Sequence, residues 1–143
     1  SGGGTGTTTT YYGAYIRYVK GGSYQTTYIP TLRCKNASDN LKLPVGLITA
    51  DEYMLAGGGS YANSSYYNTT FWLHTGQTYW TMSPSNFDGT TARVFIATSA
   101  GCLGDPSVDS TYGVRPVINL KSSITFEAGG NGTSSNPYVI NVK

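Results

Sequence analysis

Few side chains in this chain are equipped to move a proton or form a covalent intermediate. His74 is the single histidine and lies in the turn-like context Leu73-His74-Thr75-Gly76. No cysteine stands beside it in sequence to make a nucleophile–base pair. The carboxylates are Asp39, Asp51, Glu52, Asp88, Asp105, Asp109 and Glu127. A glycosidase needs a pair of them across one bond. Glu52 is accounted for by helix capping, and Asp88 and Asp105 sit beside Gly or Pro in turns. Cys34 and Cys102 lack the close spacing of a zinc site. These residues argue for a non-enzymatic protein with no metal and no cofactor. In a chain of this composition the two cysteines read as one disulfide, Cys34–Cys102, contributing about 4 kcal/mol in the chain-entropy model. Two buried free thiols are the alternative.

The chemistry left is recognition. Gly58 to Thr70 is a loop of Gly, Ser, Asn, Thr and Tyr. Antibody loops use the same mixture, with Tyr as a rigid amphipathic anchor among small adaptable polar neighbours. Such long segments without regular structure are often functional. Tyr61, Tyr66, Tyr67 and Asn68 are therefore candidate ligand contacts, joined by Trp72 just beyond the loop and by Asn86 in a later one. Trp72 and Trp80 also read as core or sub-core residues, since large aromatics are mostly buried.

Composition sets the class. Only 11% of the 143 residues are charged, against ~25% in typical soluble domains. Thirteen tyrosines and a net charge of +2 exclude a disordered chain. Lys and Arg are scattered singly, without the basic stripe of a nucleic-acid binder. There is no bilayer-length apolar run and no signal-like segment. The opening Ser1-Gly2-Gly3-Gly4 reads as that of a processed product or excised domain. Residues 1–10 are expected to form a Gly/Thr tether, and residues 11–143 a single domain with hairpins at both ends.

The clearest element is a helix. Thr49 and Glu52 stand three apart as a capping box, and Gly57 supplies a left-handed stop, which predicts a helix over Ala50 to Ala56. Tyr11 to Lys20 is rich in aromatic and β-branched residues and predicts a strand. It turns at Gly21-Gly22 and returns over Ser23 to Ile29. Further strands are expected from Phe71, over Thr78 to Ser83 stopped by Pro84, over Ala92 to Thr98, and over Gly113 to Leu120 with Pro116 at an edge or bulge. Ile124–Glu127 and Tyr138–Val142 should close a terminal hairpin.

Leu43-Pro44…Thr49-Ala50-Asp51-Glu52-Tyr53…Ala56-Gly57-Gly58 resembles the helix motif of C-type-lectin-like domains of the formylglycine-generating-enzyme type, with extra residues between Pro44 and Thr49. Tyr112-Gly113-Val114-Arg115-Pro116-Val117 resembles the closing strand of that superfamily. Tyr79-Trp80-Thr81-Met82-Ser83-Pro84-Ser85 is similar to a strand of bacterial surface-domain relatives. The resemblance implies an α+β, C-type-lectin-like fold: a short capped helix, small twisted antiparallel sheets and long ordered loops. In that fold Trp80, Val94, Ile96, Val117 and Ile118 would supply the buried sheet face, and Leu47, Tyr53, Met54 and Leu55 the helix packing. The copper-binding cysteine pair of the enzymes and the calcium tripeptides of sugar-binding lectins are missing. The Asn131 to Ile140 segment looks like one from Gram-positive surface proteins. The resemblance implies an extracellular binding or adhesion domain on a bacterial surface or phage particle. It would take a carbohydrate or protein ligand, without nucleic acid and without membrane insertion. The alternative is a filament subunit that self-associates through an extended arm, residues 7–20, added to a neighbour's sheet edge.

Overall fold

The computed structural model describes residues 8–20, 22–25, 28–33, 45–60, 67–120, 123–131 and 135–141. It is a small α+β structure organised by a curled antiparallel sheet of four strands, in the order β1-β5-β6-β7. The strands are β1 (Thr10–Tyr11), β5 (Tyr79–Phe87), β6 (Ala92–Ala97) and β7 (Leu103–Gly104). Two further ladders pair β2 (Val19–Lys20) with β3 (Ser23–Tyr24), and β4 (Val45–Leu47) with β8 (Pro116–Ile118). The helices are α1 (Gly13–Tyr18) and α2 (Ala50–Leu55).

Helix α2 forms where its caps predict. Thr49 Oγ1 accepts from Glu52 N at 3.1 Å, while Glu52 Oε2 accepts from Thr49 N at 2.8 Å. Ser83 Oγ takes another end-of-helix donor, Ala50 N, at 2.9 Å, so the first turn leaves few orphan amides. At the other end Gly57 has φ +111. Gly58 N bonds Tyr53 O at 3.0 Å and Gly57 N bonds Met54 O at 3.2 Å, the bond pair of a Schellman stop.

The Tyr11–Lys20 segment corrects the strand expectation. Only Thr10–Tyr11 pair with β5, opposite Phe87 and Asn86, and Gly13–Tyr18 coil into α1. Strand-forming composition is overridden by a four-residue spacing. Ala14 and Tyr18 are both buried, and the Tyr11 and Tyr15 rings stack at 4.7 Å. Thr10 and Tyr11 pair with the sheet of their own chain. Val19 and Lys20 pair antiparallel with Tyr24 and Ser23, and Gly21 of the expected turn lies outside the described residues.

Strand β5 runs through Pro84 instead of stopping at it. Pro84 lies opposite Val94, with the register shifting on both sides, and such irregularities are where an internal strand tolerates proline. Its inward residues are hydroxyls: Thr81, Ser83 and Ser85 are buried while Met82 and Pro84 face out. Thr81 Oγ1 donates to Phe95 O at 2.8 Å, and Ser83 serves α2. Trp80 is therefore only half-buried, packed edge-on against Tyr112. Tyr18, Tyr53, Phe95 and Leu103 fill the core. Met54 and Ile96 join them as expected, whereas Ile118 and Leu55 are exposed. The segment from Phe71 is a turn and not a strand. Phe126 and Ile140 do pair antiparallel near the end of the chain.

Cys102 is a free, buried thiol within 3.0 Å of Thr98 Oγ1, and not half of a disulfide. Its expected partner, Cys34, lies outside the described residues. Burial pushes the Cys102 thiol above its ordinary pKa, with the Thr98 bond opposing in part. Folded protein is expected to shield Cys102 from a thiol reagent at neutral pH, and unreduced protein in guanidinium to expose it. A denatured, unreduced chain with no titratable thiol would restore the Cys34–Cys102 bond.

Candidate functional site

The expected recognition residues fall into three groups. Tyr61 and Tyr66 lie outside the described residues. Asn86 is buried on β5 opposite Tyr11, its Oδ1 accepting from Ser85 Oγ at 3.2 Å. Tyr67, Asn68 and Trp72 belong to one segment on the surface. Asn68 acts there as a fastener. Its Nδ2 donates to Gly57 O at 2.7 Å, and its Oδ1 accepts from Thr70 N at 3.0 Å and Thr70 Oγ1 at 2.8 Å. This Asx turn ties the segment to the C-terminal stop of α2.

The fastening dictates where Trp72 points. Phe71 packs edge-on against Tyr53 with ring centroids 5.1 Å apart, and Leu73 is buried. The residue between them is turned outward, and Trp72 is 77% exposed. It borders a cleft of about 410 Å³ that is also lined by the buried Ile48 and Leu73 and by the β8 residues Pro116, Val117 and Ile118. Single exposed apolar residues need no explanation, but an indole beside a cleft with polar groups has the make-up of a binding site.

The polar groups are Glu52, Arg115 and Asn119. Capping occupies only Oε2 of Glu52, which also accepts from Thr49 Oγ1 at 2.8 Å. Among the described residues no donor meets Glu52 Oε1, and none pairs with the Asn119 side chain. Arg115 is held in place by its Nη1 bond to Leu73 O at 2.8 Å and by the Tyr79 ring, 5.5 Å from its Cζ. A planar carboxylate, guanidinium and amide therefore surround an aromatic face.

A second cleft, of about 620 Å³, shares one lining residue with the first: Glu52 lines both. It contains the most densely bonded charge in the molecule. Asp51 is 5% exposed. Its Oδ1 accepts from Arg17 Nε at 2.9 Å, Tyr18 Oη at 2.6 Å and Thr31 N at 3.0 Å, and its Oδ2 from Arg17 Nη2. Burial, then the bond and charge of Asp51, hold the Tyr18 hydroxyl far above the usual tyrosine range. Burial pulls the Arg17 guanidinium down, but its bonds to Asp51 more than offset this and raise it. Arg33 stands at the margin of this cleft, and no group among the described residues pairs with its guanidinium.

His74 is committed elsewhere, its Nε2 donating to Ser99 O at 3.0 Å. Among the described residues no three His, Cys, Asp or Glu side chains converge as metal ligands, and no helix is long and apolar enough to cross a membrane. Of the cleft residues, only Trp72 is readable as a binding residue from sequence. Glu52 is hidden behind its capping role, and Arg115 and Asn119 reach Trp72 only through tertiary packing. No family model matches this chain, and no curated protein or solved structure matches it.

Proposed function

We propose that this chain is a non-enzymatic, extracellular binding domain of C-type-lectin-like arrangement, displayed on a bacterial surface or phage particle. Its ligand, a carbohydrate or a protein on another surface, seats against Trp72. The observation that carries the reading is the exposed indole bordering a cleft also lined by a carboxylate, a guanidinium and an amide. A buried tryptophan would contribute only packing. An exposed one keeps apolar area in water until a ligand covers it, at ~25 cal/mol per Å² of that area. The Tyr-, Ser- and Asn-rich sequence that precedes the indole has the composition of recognition loops.

Trp72→Ala tests this on an array of immobilised glycans and extracellular proteins. Stability should change by no more than about 0.5 kcal/mol, because the side chain is mostly in water. Binding to whatever the wild type retains should fall by at least tenfold, about 1.4 kcal/mol, as for a central aromatic anchor. Equal signals from the two proteins would remove Trp72 from the ligand and the reading with it.

A further inference from the structure

The two clefts meet at one side chain. Glu52 lines both, held by its Oε2 bonds to Thr49 while Oε1 stays open. The clefts therefore adjoin at Glu52, the one residue common to their linings. We propose, building on the reading above, that the two clefts are consecutive subsites of one groove that takes a linear, uncharged saccharide.

Three observations select that ligand. The first is charge. Arg17 and Asp51 cancel by direct pairing, which leaves Arg33, Glu52 and Arg115 as the fixed charges of the groove. Their signs alternate from one cleft to the other, so neither a polyanion nor a polycation is matched along its length. The second is the pairing of surfaces. Each cleft is lined by exposed apolar groups, Leu32 and Pro84 in one and Trp72 and Ile118 in the other, together with planar polar groups. A sugar ring presents an apolar C–H face and a rim of hydroxyls that both donate and accept. It can therefore satisfy a carboxylate, a guanidinium and an amide at once. The third concerns the backbone. Strand β8, which lines the same cleft as Trp72, begins with Pro116, which has no N–H to offer an added peptide strand. That strand is poorly made for an extended peptide and indifferent to a glycan, which needs no backbone ladder.

The test is calorimetric titration of the full chain with malto-, cello- and chito-oligosaccharides from mono- to hexasaccharide, at low and high salt. One series should bind, with affinity rising about tenfold or more as the chain becomes long enough to fill both clefts, then levelling off. Salt should leave it unchanged. Trp72→Ala should lose binding at every length. Leu32→Ala with Arg33→Ala changes two exposed side chains of the second cleft. That variant should keep short-chain affinity and lose the gain with length. Affinity independent of length, or a full gain retained in the double variant, would overturn the consecutive subsites. No binding in any series would overturn the saccharide assignment. If Trp72→Ala still abolished binding to an arrayed protein, the binding-domain reading would survive that failure.

Discussion

Asp51→Ala is expected to cost about 3 kcal/mol of unfolding free energy, more than any surface substitution in this chain. The carboxylate, carried by α2, receives four hydrogen bonds from two places: α1 through Arg17 and Tyr18, and the 28–33 segment through Thr31 N. Removing it strands the Tyr18 hydroxyl, whose residue is fully buried, and leaves Arg17 charged without a partner. Stranded donors in a low-dielectric interior cost more than the intact pair contributes. Arg17 is 29% exposed at its side chain and can turn toward water, which keeps the loss near the lower end of the range for broken buried pairs. Urea denaturation should show a lower midpoint with an unchanged slope. Arg17→Met combined with Asp51→Leu should recover part of the loss, because no charge is then left unpaired. A loss below about 1 kcal/mol for Asp51→Ala would mean that the helices are held to the sheet by apolar packing alone.

That network explains why one helix was readable and the other was not. Every signal for α2 is local: Thr49 and Glu52 are three residues apart, and Gly57 follows within two turns. The signals for α1 are weak in the chain and strong in space. Its N-cap, Tyr12, makes no side-chain capping bond. Its composition favours a strand, and its anchor to Asp51 lies 34 residues away. What was visible was the four-residue spacing of Ala14 with Tyr18 and of Tyr11 with Tyr15, a helical period inside strand-like residues.

The buried face of β5 was misjudged for a related reason. The resemblance implies Trp80 inside, yet Trp80 is only half-buried, and Tyr79, Thr81, Ser83 and Ser85 occupy the buried side. Each hydroxyl has a partner: Phe95 O, Ala50 N, and an Asp105 carboxylate oxygen at 3.0 Å from Ser85 Oγ. Small hydroxyls here satisfy one helix amide (Ala50 N), a neighbouring-strand carbonyl and the Asp105 carboxylate. The candidate site shows the same division. Trp72 was legible as a residue type, but its exposure follows from Phe71 and Leu73 being drawn inward on either side of it. Glu52, Arg115 and Asn119 meet it only because β8 pairs with β4 beside α2.

Gly101→Ala should be the most damaging single-methyl change in the molecule. Gly101 has φ +76, and an added Cβ would lie 1.7 Å from Asn68 O. The left-handed conformation alone costs a non-glycine residue about 1–2 kcal/mol. Gly76 isolates that term, having φ +69 with nothing within 4 Å of its added Cβ. Gly101→Ala must in addition displace the backbone at Asn68, for a total of about 3 kcal/mol or more. That backbone is fixed by bonds at both ends. Asn68 holds Gly57 O and Thr70, and Gly59 bonds Gly101 O at 2.9 Å and Leu103 N at 2.9 Å. Moving it shifts the turn that carries Trp72, so ligand retention should fall together with stability. Gly76→Ala should lose only its strain energy and bind normally. If the two variants proved equally stable, the close approach of Gly101 to Asn68 would not exist in solution, and the outward setting of Trp72 would need another cause.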